Sequence, residues 1–280
     1  MTTVCDVMDD LRAMAAVKAA VAEDVGEGDA TTLALVDPAA RATGEILARE
    51  ACRVAGVTVA RAVLTCVDPA LRVAVIGPDG ETVEPGDTIL TIEGKATSIL
   101  TAERTALNFM QRMCGIATLT ARFVKAVEAY GTMILDTRKT TPNLRLFEKY
   151  AVTCGGGTNH RFGLYDRVLV KDNHRRLWQG GDPDRLDLAV AAAREAFPSL
   201  EVEIEVESVA ECQSALRGRP EWIMLDNMST ELLKQCIDYI DGRAEIEFSG
   251  NVTKENIARI KGLGVDYVSS GALTHSAPIL

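Results

Sequence analysis

Apolar positions at residues 7, 11, 14, 17, 21 and 25 fall three or four apart, so Val7 to Val25 is predicted as one helix with a single buried face, ended by "GEGD". Between residues 42 and 95 the period shortens. There "GEILARE", "LRVAVIG" and "TILTIEG" read as strands, separated by "GPDG" and "EPGD" turns and one helical piece near "VARAVLTCV". This predicts a small α+β unit. Residues 97–130 return to helical spacing, with Thr101 as an N-cap and Gly115 as a break between two helices.

After Gly131 the rhythm becomes strand, loop, helix, repeated. The strands are "TMILD", "RVLVK", "EVEIEVE", "EWIMLD", "AEIEFS" and "DYVSS", with helices over 185–197, 208–217, 229–240 and 253–262. Such alternation implies a parallel sheet covered by helices. Each strand ends in polar residues: Asp136, Arg138 and Lys139; Lys171 and Asp172; Glu205 and Glu207; Asp226 and Asn227; Ser249, Gly250 and Asn251; Ser269, Ser270 and Gly271. Functional groups at the C-terminal ends of many strands favour an α/β barrel, where those ends ring one site, over a doubly wound sheet with a single switch point.

Charge sharpens the picture. The chain has a formal charge of -10, yet residues 137–176 hold nine Lys or Arg against three acids, about +6, leaving about -16 elsewhere. Cations gathered in one stretch of an acidic protein suit a local anion site, whereas a nucleic-acid surface would make the whole domain basic. An apolar fraction of 47% with 25% charged residues is that of a soluble globular protein, and no apolar run approaches a membrane span of roughly 18 residues. The acidic start "MTTVCDVMDDLR" does not read as a signal peptide. Seven scattered cysteines without a C-x-x-C pair argue against a disulfide framework or structural zinc, so a reducing, cytoplasmic location is expected.

Three constellations could carry chemistry. Arg138, Lys139, His160, Arg161 and Lys171 suit a small ligand with several anionic groups, since guanidinium forks bind carboxylate or phosphate and lysine adds a point charge. The bland alternative pairs some of them with Asp136, Glu148, Asp166 or Asp172. Glu205 and Asp226, at neighbouring strand ends, offer hard oxygens for magnesium or partners for the cations. "FSGN" at 248–251 and "SSGALTHS" at 269–276 could form an anion nest, with His275 assisting. "CGGGTNH" matches no nucleotide-loop pattern and reads as a flexible turn. Lys171 could in principle form a Schiff base, but this leaves the other cations without a purpose.

Taken in order, "AERTALNFMQRMCGIATLT", "LDTRKTTPNLRLFEKYAVTCGGGTNHRFGLYDRVLVKDNH", "EVEIEVES", "IMLDNM", "FSGN" and "VDYVSSGALTHSAP" resemble the quinolinate phosphoribosyltransferase family over most of the chain. The resemblance implies an incomplete seven-stranded α/β barrel (residues 115–271), an N-terminal α+β sandwich-like domain (1–114, with its linking helix) and a tail (272–280) returning to that domain. It implies transfer of phosphoribosyl from phosphoribosyl pyrophosphate to quinolinate with decarboxylation. It also implies site roles: Arg138, His160, Arg161 and Lys171 on the quinolinate carboxylates, and Arg104 reaching the site of a second subunit in a homodimer or larger oligomer. Lys139 would contact phosphoribosyl pyrophosphate, and Glu205 and Asp226 its ribose and Mg2+. Ser249, Gly250, Asn251, Ser270, Gly271 and His275 would surround its phosphate, and Lys139, Lys171, Glu205 and Asp226 would carry the catalysis. Asn143 stands where members usually have glycine; asparagine tolerates a left-handed backbone, so the loop is expected to survive. The rivals are a paralogue associated with molybdate uptake, a nicotinate-using transferase and a non-catalytic anion-binding protein.

Overall fold

The computed structural model describes residues 6–178, 181–250, 252–253 and 257–280. They form two compact units, one of described residues within 6–121, 140–157 and 273–280, the other of those within 122–139 and 158–272.

In the first unit, the single N-terminal helix expected from spacing is divided. A 3-10 turn, Val7–Asp9, is followed by a helix, Leu11–Val25. Side-chain capping is the cause: Asp6 accepts the Met8 amide at 2.9 Å and Asp10 the Arg12 amide at 2.8 Å, so each acid starts its own element. β1 (Arg41–Leu47), β3 (Arg72–Val75) and β5 (Thr88–Lys95) make an antiparallel sheet in the order β1-β5-β3. β2 (Cys52–Arg53) and β4 (Thr82–Val83) form a separate antiparallel pair, and a helix spans Val57–Val67.

The long helix runs unbroken from Ala96 to Val127, so Thr101 is no cap and Gly115 no break. Gly115 serves close approach instead. A Cβ there would lie 1.8 Å from the Pro278 carbonyl oxygen, and Leu280 N donates to Gln111 O at 3.3 Å. Gly115→Ala should therefore cost ~1–3 kcal/mol by overpacking, read as a melting temperature several degrees lower, and an unchanged melting point would contradict this reading.

The glycine run after the helix Arg145–Cys154 is a tight rather than a flexible turn: a Cβ on Gly155 would meet Ala117 O at 2.4 Å. Glu148, 1% exposed, binds Arg112 at 2.8 and 3.1 Å and the Thr141 hydroxyl and amide at 2.8 and 3.1 Å, so it is an internal tie. Asn143 adopts φ 65°, the left-handed conformation its residue type permits.

The second unit holds β6 (Met133–Leu135), β7 (Val168–Val170), β8 (Val202–Val206), β9 (Trp222–Asp226), β10 (Glu245–Ser249) and β11 (Tyr267–Ser269). All six are parallel, in the order β6-β11-β10-β9-β8-β7. Consecutive strands are neighbours and the last returns beside the first, the cyclic order of an α/β barrel open between β6 and β7. On the free side of β6, a single bridge joins Leu135 to Thr158.

Alternation decides the two faces. Val202, Ile204, Val206, Ile223, Leu225, Ile246, Phe248 and Val268 are buried and apolar, while Glu203, Glu205, Asp226, Glu247 and Ser249 occupy positions of opposite parity. Helices Leu186–Ala196, Val209–Arg217 and Thr230–Ile240 follow the expected ranges, the last two capped by Ser208 and Ser229. Of the helix expected over 253–262, the described part is a 3-10 turn, Ile257–Ile260, ending before Gly262 and Gly264, which take positive φ.

Candidate active site

Arg138 and Lys139 leave the end of β6, where Thr137 Oγ1 accepts the Lys139 amide at 3.1 Å; Arg138 is half-buried and Lys139 exposed. His160 and Arg161 follow the Thr158 bridge. Asp136, fully buried, accepts the His160 amide at 2.9 Å, which lays this segment against β6. Arg161 is 9% exposed; its Nη1 donates to Arg167 O at 3.2 Å, and its Nε finds no hydrogen-bond partner among the described residues. Burial, and then the charge of nearby Arg138, lower its pKa. The charges of Glu203 and Asp166 act the other way, so the buried guanidinium sits between two acids and a second cation.

Lys171 ends β7 and caps a short helix, Asp172–Leu177, that the sequence reading did not mark. Its amide donates to His174 Nδ1 at 2.9 Å, and its ammonium pairs with Glu205. Glu205 lies level with Met224, and Ser249 with Asp226, so β8, β9 and β10 bring their ends together. Carboxylate oxygens of Glu205, Glu207 and Asp226 lie within 4.8 Å of one another, adding Glu207 to the expected pair.

The turns after β9 and β10 interlock. Asn227, at φ 52°, donates its amide to Ser249 O at 3.1 Å, and a Cβ on Gly250 (φ 116°) would meet Asn227 Oδ1 at 2.3 Å. Ser270 is buried, with its hydroxyl donated to Val252 O at 3.2 Å and its amide to Leu135 O at 3.1 Å. Gly271 is half-buried, and Asn251 lies outside the described residues. Arg104 and His275 are exposed residues of the first unit; His275 Nδ1 is 2.6 Å from Ser276 Oγ.

Three further groups were missed by attention to strand ends alone. Glu203 and Glu247, both fully buried, face His160 Nε2 at 3.0 and 3.2 Å, and Arg161 N donates to His160 Nδ1 at 2.7 Å. Arg167 lies 3.4 Å from Glu203 and stacks over Trp222 at 4.1 Å. The signal was present in "EVEIEVE" and "AEIEF", where glutamates repeat every second position on a strand whose other face is apolar. Burial pulls the His160 ring down, while hydrogen bonds and charges of the two glutamates push it up, to about 9 on balance. A second ring proton would have to sit on Nδ1, where the Arg161 amide already points, so geometry fixes the Nε2–H tautomer. Burial, and then the charge of Glu203, raise the Glu247 carboxyl.

A sequence model described as "Quinolinate phosphoribosyl transferase, C-terminal domain" matches residues 116–280, and its N-terminal counterpart matches 29–114. The chain belongs to the quinolinate phosphoribosyltransferase family. It is 41% identical over 280 residues to "Quinolinate phosphoribosyltransferase [decarboxylating] 1b" of Nicotiana tabacum, covering 94% of this chain and 79% of the relative. Identity to the chloroplastic "Nicotinate-nucleotide pyrophosphorylase [carboxylating]" of Arabidopsis thaliana is 42% over 287 residues, covering 97% and 81% of the two chains. Among solved structures, NadC from Streptococcus pyogenes superposes with a TM-score of 0.90 at 46% identity, covering 95% of this chain and 93% of that one. In this quinolinate phosphoribosyltransferase chain, Arg138, Arg161, Lys171, Glu205 and Asp226 fall inside the C-terminal family match and Arg104 inside the N-terminal one.

Proposed function

We propose that this chain transfers the phosphoribosyl group of phosphoribosyl pyrophosphate to quinolinate with loss of CO2, giving nicotinate mononucleotide and pyrophosphate for de novo NAD biosynthesis. The observation that carries this reading is Arg161, a buried guanidinium with its Nε unpartnered among the described residues. A dianionic pyridine supplies what is missing: two carboxylates that Arg138, Arg161 and Lys171 can hold, fixing the ring nitrogen toward the anomeric carbon.

Lys171 is paired with Glu205 here, so substrate carboxylate and Glu205 would share its charge. Glu205 and Asp226 face the ribose, where their charge favours the developing oxocarbenium ion. Lys139 meets the pyrophosphate, and the turn at Ser249 and Gly250 the 5-phosphate. His275 and Gly271 belong to the same phosphate reading. The hard-oxygen set of Glu205, Glu207 and Asp226 fits Mg2+, which when bound would neutralise charge on the leaving pyrophosphate. Once the ring nitrogen is quaternised it becomes the electron sink for decarboxylation, so no general acid is required for that step.

The reading includes a homodimer in which Arg104 serves the site of a second copy. Mixing Arg104→Ala with a variant inactive at Asp226 should then restore part of the activity, and no recovery would remove the shared site. No described helix is long and apolar enough to cross a membrane. A cytoplasmic location remains part of the proposal, supported by free cysteines at 52, 66, 114, 154, 212 and 236. The test is incubation with phosphoribosyl pyrophosphate, Mg2+ and either quinolinate or nicotinate. Nucleotide from quinolinate supports the reading, whereas nucleotide from nicotinate alone would favour the rival transferase.

A further inference from the structure

We propose that Glu203 is a positioning residue for the quinolinate site: it hydrogen-bonds Nε2 of His160, and His160, through Nδ1, fixes the main chain from which Arg161 meets the substrate. This rests on the reading of Arg161 as a carboxylate ligand given above.

The geometry pins residues 160 and 161 from several directions. The His160 amide is held by Asp136 Oδ1 at 2.9 Å, and Asp136 in turn donates its own amide to Thr158 O at 3.2 Å. Its ring Nε2 is hydrogen-bonded to Glu203, with Glu247 3.2 Å away and its oxygens without a hydrogen-bond partner among the described residues, and the ring accepts the next amide, Arg161 N, at 2.7 Å. With both ring nitrogens engaged and a side chain only 6% exposed, His160 has no ring proton to offer quinolinate. Its contribution is therefore exerted through Arg161.

The cost of the arrangement argues for a role. Two carboxyl groups wholly out of water are expensive, and well-packed apolar side chains on β8 and β10, either side of β9, would stabilise the sheet at least as well. Arg167 offsets part of that cost at Glu203 alone. What an apolar pair could not do is accept the His160 Nε2 proton and so fix ring and tautomer. A ligand-binding guanidinium displaced by about 1 Å can lose two orders of magnitude in rate, which is why such sites carry a supporting shell of hydrogen bonds.

The test uses the full chain. Glu203 is the probe, because it makes the hydrogen bond to Nε2, and Arg167→Ala controls for its second contact. Glu203→Leu should raise KM for quinolinate at least five-fold beyond the effect of Arg167→Ala while KM for phosphoribosyl pyrophosphate stays within two-fold. Glu203→Gln, whose carbonyl oxygen can still accept from Nε2, should restore most of the loss. A parallel rise in both KM values, or equal behaviour of Leu and Gln, would overturn the proposal. Independently of variant folding, nitrogen-15 NMR of the unaltered protein should show His160 protonated at Nε2 and bare at Nδ1; a proton on Nδ1 would overturn it. An unaltered protein inert toward quinolinate would defeat the functional reading alone, since the NMR result would still decide the Glu203 hydrogen bond to Nε2.

Discussion

Arg161→Ala is expected to lower kcat/KM for quinolinate by roughly 30- to 3000-fold while the melting temperature stays level or rises. The first half follows from removing one partner of a desolvated, hydrogen-bonded charge pair, which typically costs ~2–5 kcal/mol, at ~1.4 kcal/mol per factor of ten. The second half follows from the free protein. There the guanidinium is buried, its pKa lowered by burial and by Arg138, and its Nε lacks a partner among the described residues, so the folded state holds it at a cost. Removing it relieves that cost. Steady-state kinetics and a thermal melt of the same preparation check both halves. A large fall in melting temperature with little kinetic change would make Arg161 a structural residue.

Asp226→Ala and Glu205→Ala should each reduce turnover by about 10²- to 10³-fold, the usual consequence of losing ~2.7–4 kcal/mol of preorganised charge stabilisation. The two should differ in one respect. Glu205 also partners Lys171, so its loss frees the ammonium and should change KM for quinolinate as well. Asp226 is tied to Asn227 Nδ2 at 2.8 Å and, among the described residues, has no such link to the cations, so its loss should act through Mg2+ dependence and phosphoribosyl pyrophosphate. Titrating activity against Mg2+ for both variants separates the effects, and identical profiles would contradict the division of labour.

How far the sequence carries depends on what kind of interaction placed each residue. The six parallel strands were legible because each is a short run or alternation of apolar residues followed by polar groups, and β8 to β10 align those ends in register. Local capping was harder: Asp10 starts a helix inside a periodic apolar pattern, and the pattern does not register it. Gly115 looked like a breaker because its true reason, the Pro278 carbonyl against the helix, is 163 residues away in sequence. Ser270 looked like part of an anion nest, yet its amide and hydroxyl are donated to Leu135 and Val252. Glu203 and Glu247 escaped notice because a glutamate in a strand is normally read as solvent-facing. The fold brings both near His160, whose position after a single-residue bridge no periodicity marks.

The central claim is that one cation cluster holds both carboxylates of quinolinate through phosphoribosyl transfer and lets the 2-carboxylate leave afterwards. The most direct measurement supplies quinolinate labelled with carbon-13 in its 2-carboxylate, together with phosphoribosyl pyrophosphate and Mg2+, and counts labelled CO2 against nicotinate mononucleotide. The account predicts one labelled CO2 for each nucleotide formed, with neither product when phosphoribosyl pyrophosphate is omitted. Labelled CO2 without nucleotide, or nucleotide that retains the label, would contradict it.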